Sequence, residues 1–361
     1  MRYTVLGRTG VRVSELALGT VTFGEDWGWG APIETSARIL DRYEEAGGNF
    51  IDTADHYTGG TSEQILGELL KGRRDRFVLG TKYTLQTDLA NINSAGSHRK
   101  NLVASIDASL RRMRTDYIDV LWVHAHDTLT PVPEIMRALD DQVRAGKILY
   151  VGASNWPAWE VAQANTLADL RGWSPFVGLQ IRYNLLERGA ERDLLPMARQ
   201  FDIPVLCWGA LAEGRLTGKY LRGGTGRLTV APREHNSMAG VDDLIRIVAE
   251  VAGEGGWSSA QVALAWLRTR PGTVIPLLGA TKEEQIRDNL GSAEVTLSDE
   301  QLNRLDEASH TPLGYPHDLL RQDVTVNDMY GRRWFDIDDR RTGDRRGVAD
   351  DVHSPLPLPR D

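Results

Sequence analysis

Cysteine is almost absent from this chain. Cys207 stands alone among 361 residues, so no internal disulfide can staple the fold. Long apolar runs are missing as well. None approaches the roughly 18 residues that a membrane-spanning helix needs, and Met1–Gly7 lacks the apolar core of a secretory signal. There is no basic stripe, and a net charge of −8 argues against nucleic acid or a membrane surface as a partner. These absences predict a protein of the reducing cytoplasm with neither kind of partner, and nothing in the sequence signals an oligomeric state. The 41% of hydrophobic residues is enough for a substantial core, as one large domain or two.

What is present is alternation. Tyr3–Leu6 and Val11–Val13, joined through Gly7 to Gly10, read as a β-hairpin that covers something larger. Leu16–Thr20 is then a first core strand, followed by apolar residues at helical spacing over Pro32–Gly47. Strands Asn49–Asp52, Phe77–Lys82 and Tyr117–His124 precede helices Ser62–Leu70, Arg99–Met113 and Val132–Ala145. The second half continues with strand Ile148–Ser154, helix Ala158–Leu170, strand Val177–Gln180, helix Ala190–Phe201 and strand Val205–Trp208. A Gly-rich loop from Gly209 to about Gly240 leads to helices Asp242–Ala252 and Ser258–Arg268, strand Val274–Pro276, helix Lys282–Gly291 and a capping helix to Ala308.

Eight strand–helix repeats predict an α/β fold of the (β/α)8 TIM-barrel type. The alternative, an open doubly wound sheet, calls for a Gly-rich phosphate turn after its first strand, and Leu18-Gly19-Thr20 does not provide one. The expected organisation is a barrel over residues 1–310, a C-terminal loop segment over the barrel at 311–335, and a polar, disordered tail at 336–361. That tail is rich in Asp, Arg and Pro and has little to bury.

In a barrel, residues leaving the carboxyl ends of strands gather on one face. Asp52 ends one strand, Tyr57 lies five residues on in the loop beyond it, and Lys82 and His124 end two others. A phenol with an ordinary pKa of about 10 donates a proton near neutrality only if its surroundings acidify it, and an ammonium is the obvious agent. Lys82 is therefore expected to acidify Tyr57, Asp52 to hold Lys82 charged, and His124 to orient a substrate oxygen.

The stretches Phe50-Ile51-Asp52-Thr53-Ala54-Asp55-His56-Tyr57, Gly80-Thr81-Lys82, Asp116–His124, Gly146–Asn155 and Leu216-Thr217-Gly218-Lys219-Tyr220 together resemble the aldo-keto reductase superfamily. The likeness, from Tyr3 to about Ser309, is to its bacterial, longer-looped members. It implies reversible reduction of a small-molecule carbonyl compound, such as an aryl aldehyde or a ketosugar, by NADPH, with NADH as the alternative. Asp52, Tyr57, Lys82 and His124 would be the catalytic tetrad and Tyr57 its general acid. The same resemblance implies that Ser154, Asn155 and Gln180 bind the nicotinamide carboxamide and that Trp208 stacks on the ring. Gly19, Thr20 and Asp52 would line the cofactor, Gly209, Leu211, Gly214, Leu216 and Lys219 would fold over its pyrophosphate, and Gly279, Thr281, Lys282, Gln285 and Asn289 would hold the adenosine end. Trp27, Trp29 and His124 are expected to wall the substrate pocket.

Three departures stand out. Gly209-Ala210 replace a frequent Ser-Pro, and Thr281 stands where many relatives carry an arginine for the 2′-phosphate. His126 follows His124 by two residues, so in an extended strand both rings share one side, as in metal-dependent barrel hydrolases with Asp127 close by. That rival, and a cofactor-binding regulatory subunit with weak turnover, are the alternatives to a reductase. The expectation here is that no metal is bound.

Overall fold

The alternation closes on itself. In the computed structural model, β1 (Tyr3–Val5) and β2 (Arg12–Ser14) pair antiparallel as the N-terminal hairpin. Eight parallel strands form the barrel: β3 (Ala17–Gly19), β4 (Phe50–Asp52), β5 (Val78–Tyr83), β6 (Ile118–Val123), β7 (Ile148–Ser154), β8 (Phe176–Arg182), β9 (Val205–Trp208) and β10 (Val274–Leu278). They run in sequence order, and β10 pairs with both β9 and β3 to close the ring.

The structure describes residues 1–230, 240–331 and 333. A compact unit spans Met1–His310 and a second begins at Thr311. Helices α1 (Ile33–Glu45), α2 (Thr61–Leu69), α3 (Arg99–Met113), α4 (Val132–Arg144), α5 (Ala158–Arg171) and α6 (Leu194–Gln200) follow the strands in turn. The later part of the barrel unit adds α7 (Arg227–Val230), α8 (Val241–Gly255), α9 (Ser259–Arg268), α10 (Glu283–Leu290) and α11 (Asp299–Ala308). Ser258 and Ser298 start α9 and α11 with capping boxes, each closed by a glutamine three residues on.

Period two in each strand decides which side chains enter the barrel. Phe50, Val120, Trp122, Leu206 and Ile275 share the interior cluster, whereas Ile51, Leu79, Leu121 and Val123 belong to the larger one that includes helix residues. Trp122 fills the middle of the barrel because three neighbouring strands offer it glycine. A Cβ on Gly152 would lie 2.3 Å from the indole, one on Gly80 2.7 Å and one on Gly178 2.8 Å. One step further along the same inward phase come Asp52, Lys82, His124, Ser154, Gln180 and Trp208, so the pleat itself delivers all six to the carboxyl-end mouth.

The opposite mouth is stopped by the hairpin. Leu6 and Val13 are buried with the interior cluster. Gly7, at φ +57°, approaches the Asp202 and Val177 carbonyl oxygens so closely that a Cβ would sit 2.9 and 3.0 Å from them.

Three expectations are corrected. The helix expected over Ala190–Phe201 is instead a 3-10 turn, Gly189–Glu191, followed by α6. Pro196 is the cause: its ring would clash with the Arg192 carbonyl in a continuous helix, so the helix restarts where proline falls in its first turn. The Gly-rich loop contains a 3-10 stretch, Ala212–Thr217, as well as α7. The segment expected as loop from 311 carries α12 (His317–Leu320) and α13 (Asp323–Tyr330), which contact each other and are built on local bonds such as Val326 N–H to the Gln322 carbonyl, 2.9 Å. Trp334, Phe335 and the tail expected at 336–361 lie outside the described residues, as do 231–239.

Candidate active site

Lys82 is the centre of the site, and all three of its ammonium protons have acceptors. Nζ donates to the Asp52 carboxylate, to the Thr53 carbonyl at 2.7 Å and to the Tyr57 hydroxyl at 3.0 Å. Asp52 and Lys82 are both buried, and the second Asp52 oxygen accepts from Gln180 Nε2 at 2.9 Å. Backbone bonds tie the segment after β4 to β5: Thr53 N–H reaches the Gly80 carbonyl and Asp55 N–H the Lys82 carbonyl. Tyr57 opens a 3-10 turn beyond them and is half-buried. The four residues expected to act together are thus brought together, with His124 edge-on to Tyr57 at 6.0 Å between ring centroids.

The electrostatics refine one expectation. Burial works against the charge on Lys82, yet the adjoining Asp52 and Tyr57 oxygens outweigh it and its pKa is raised, so it stays an ammonium. Burial also lifts the Asp52 carboxyl while Lys82 and Gln180 oppose it; with an ammonium in contact, the ion pair is the state this geometry favours. Tyr57 is not acidified overall. Burial raises its phenol, the Lys82 charge pulls it back, and Asp52 pushes it up again. The hydroxyl is therefore protonated at neutrality, as a proton donor must be. Burial, then the charges of Lys82 and His56, hold His124 well below the ordinary histidine value, so its ring is neutral. Its Nδ1 is buried and has no hydrogen-bond partner among the described residues.

Around this centre the expected cofactor residues divide. Gln180 spends an amide N–H on Asp52 and keeps its carbonyl oxygen, and Ser154 Oγ, which accepts from Asn155 at 3.1 Å, keeps a proton to donate. Both fit a carboxamide. Asn155 does not fit as expected: Nδ2 donates to the His124 carbonyl at 2.9 Å and Oδ1 accepts from Trp208 Nε1 at 2.9 Å. Its φ of +56°, a region asparagine tolerates, turns the amide back over three strand ends. Thr20 and Gly19 also have structural partners, the Thr20 hydroxyl donating to the Asp52 carbonyl at 3.1 Å and Gly19 lying against Leu277.

Beyond Trp208 the chain doubles over. Gly209 has φ +66°, and Ala212, Glu213 and Gly214 form a left-handed run. The Lys219 side chain lies against Gly214, where a Cβ would meet its Nζ at 2.7 Å, while Leu216 is buried and Leu211 half-buried. A backbone this close-set, with a lysine folded onto glycine, suits a loop that approaches a pyrophosphate. At the β10 end, Thr281 N–H donates to Gln285 Oε1 at 2.8 Å and Asn289 Nδ2 to the Gly279 carbonyl at 3.3 Å. Lys282 precedes α10 and is exposed.

Trp27 and Trp29 do stand at the site. Their ring centroids are 5.7 Å apart, and Trp27 lies edge-on to Tyr57 at 6.4 Å. Two contacts escaped the sequence reading. His56 lies 5.7 Å from Trp27, and the Arg227 guanidinium sits 4.2 Å over Trp29. The only signal for His56 was its place beside Tyr57. The hydrolase alternative loses its ligands: His126 pairs with Glu160, Asp127 is spent on Ser97 N–H, Leu129 N–H and the Thr130 hydroxyl, and no group of three or more His, Cys, Asp or Glu among the described residues could hold a metal.

The profile described as the Aldo/keto reductase family matches residues 15–310, which spans the barrel and every residue of this site. The chain belongs to that family. Among its relatives, a norsolorinic acid reductase of Emericella nidulans is 39% identical, with 89% of this chain and 87% of that protein covered. An aldo-keto reductase of Aspergillus calidoustus is 37% identical over 91% and 87%. A putative aryl-alcohol dehydrogenase of Saccharomyces cerevisiae is 34% identical over 90% and 91%. These relatives are fungal, so the bacterial subgroup expected from the motifs finds no support. As an aldo/keto reductase the chain is an NAD(P)H-dependent oxidoreductase that reduces carbonyl compounds. No observation favours the regulatory-subunit alternative. Among the described residues no helix is long and apolar enough to cross a membrane.

Proposed function

We propose that the protein reduces an aryl aldehyde or ketone with NADPH, and that Tyr57 is the general acid. The observation that carries this reading is the Lys82 ammonium held 3.0 Å from the Tyr57 hydroxyl with its other protons committed. As a substrate carbonyl oxygen becomes an alkoxide, the Tyr57 proton passes to it and the phenolate left behind lies against a fixed cation. The ammonium thus contributes most when the phenol gives up its proton, which is the condition for lowering the barrier rather than only binding the ground state. The neutral His124 ring can donate a hydrogen bond to the same oxygen without competing for the proton. When bound, the nicotinamide supplies the hydride. Ser154 and Gln180 would hold its carboxamide, Trp208 its ring face, the loop from Gly209 to Lys219 its pyrophosphate, and Gly279–Asn289 its adenosine end.

The aryl preference rests on the Trp27–Trp29 wall beside Tyr57, whose rings offer flat apolar faces, and on relatives named aryl-alcohol dehydrogenases. The preference for NADPH rests on Lys282 at the start of α10, where free backbone N–H groups suit a phosphate. Repulsion from Glu283 is relieved, because Arg42 binds it at 2.7 Å and Arg287 at 3.0 Å.

Tyr57→Phe is expected to keep cofactor binding, read by quenching of protein fluorescence, and to lower benzaldehyde reduction by at least about a hundredfold, the scale of one general acid. Retention of most turnover would remove Tyr57 from this role.

A further inference from the structure

The aromatic wall contains one polar ring. His56 lies 5.7 Å from Trp27, ring centroid to ring centroid, and immediately precedes Tyr57 in the chain. Its tautomer is fixed by geometry. Nδ1 is 3.1 Å from the Gln86 carbonyl, and a carbonyl only accepts, so Nδ1 carries the hydrogen. In the neutral ring, Nε2 is then a lone pair with no hydrogen of its own. His56 is partly exposed, whereas the buried Lys82, Asp52 and Gln180 are bonded to one another. A planar substrate lying along Trp27 therefore has the His56 Nε2 lone pair within reach as a hydrogen-bond acceptor, besides the reacting Tyr57 hydroxyl.

We propose that the substrate is a hydroxyaryl aldehyde or ketone and that His56 selects it by accepting a hydrogen bond from its ring hydroxyl. The inference rests on the carbonyl-reductase reading above and narrows it. His56 takes no proton in this role. The reduction remains one hydride to carbon and one proton from Tyr57 to oxygen, and the histidine holds the ring in register. The preference runs one way: an O–H is rewarded, a methyl ether is not, and a bare ring leaves Nε2 unpaired against it.

The test uses pairs of aldehydes in which one member can donate and the other, larger by a methyl group, cannot, and the His56 variants separate the hydrogen bond from the difference in size. For the 2-, 3- and 4-hydroxybenzaldehydes, kcat/KM in the wild type is compared with that for the matching methoxybenzaldehydes, and dissociation constants for the same pairs are read by quenching of tryptophan fluorescence. At least one positional pair is expected to favour the hydroxy compound by about fivefold to tenfold, the worth of one neutral hydrogen bond. That ratio should collapse in His56→Phe and largely return in His56→Gln, whose side-chain carbonyl again accepts. Equal hydroxy and methoxy values at all three positions would overturn the assignment, as would a ratio unchanged in His56→Phe, and either result would leave the reductase reading standing. No reduction of any of these aldehydes, benzaldehyde included, with NADPH or NADH would overturn both.

Discussion

Asp55 carries its carboxyl in a place that disfavours charge. It is 2% exposed, and neither oxygen meets a donor at bonding geometry, although the Ser105 hydroxyl and His56 N–H lie close enough to pull weakly. Burial first, then the neighbouring Glu63 carboxylate, push its pKa up to about 8, with Arg112 opposing. Glu63 is itself bound by Arg112 and the Thr81 hydroxyl, at 2.6 and 2.5 Å. The sign follows from proton counting. Between the ordinary carboxylate value and about 8, the folded state holds a proton that the unfolded chain has released, so stability falls as pH rises through that window. Asp55→Asn removes the dependence. Its unfolding free energy in chemical denaturation should match the wild type below the ordinary carboxylate value and exceed it by a margin that grows to pH 8, reaching a few kcal/mol on the order-of-magnitude scale of about 1.36 kcal/mol per pKa unit. Parallel stability curves across that range would show that Asp55 ionises freely.

Among the elements, what the sequence made legible is the inward phase of the strands. Asp52, Lys82 and His124 were placed at strand mouths from apolar runs alone, and the barrel confirms those positions because period two leaves no choice of side. What stayed hidden was everything carried by contacts between distant strands. Gly80, Gly152 and Gly178 read as ordinary strand glycines, yet they are the cavity that Trp122 fills, and no local pattern announces a cavity shared by three strands. The engagement of Asn155 with the His124 carbonyl and Trp208 was equally invisible, since it depends on one left-handed residue. Gly152→Ala tests the packing. Its new methyl would lie 2.3 Å from the indole with the Gly178 carbonyl 3.1 Å away, so relief requires Trp122 to shift. A loss of about 1–3 kcal/mol in chemical denaturation is expected, the usual cost of overpacking a closed core. Trp122→Phe in the same background should recover part of it, and a Gly152→Ala variant as stable as the wild type would show that the barrel interior yields easily.

For the whole molecule, cofactor preference can be read without turnover, because a ligand that binds only the folded state raises the melting temperature by mass action. At a hundred times its dissociation constant, NADP+ should stabilise by about 2.7 kcal/mol, or roughly 5–10 °C at 2–4 °C per kcal/mol. If one charge-assisted contact at Lys282 gives about a tenfold preference, NAD+ at the same concentration should fall short by about 1.4 kcal/mol. Lys282→Ala should bring the two shifts together. Equal shifts in the wild type, or a gap that survives the substitution, would move the 2′-phosphate contact elsewhere.

The hairpin under the barrel gives the fold a schedule. Leu6, Gly7 and Val13 leave a ribosome well before Val177 and Asp202, against which Gly7 closes. At roughly 5–20 residues per second, the nearly 200 residues between them take about 10–40 s to be made. Until then the apolar face of the hairpin has no floor to complete, and a segment made long before its partners waits for them to reach its final place.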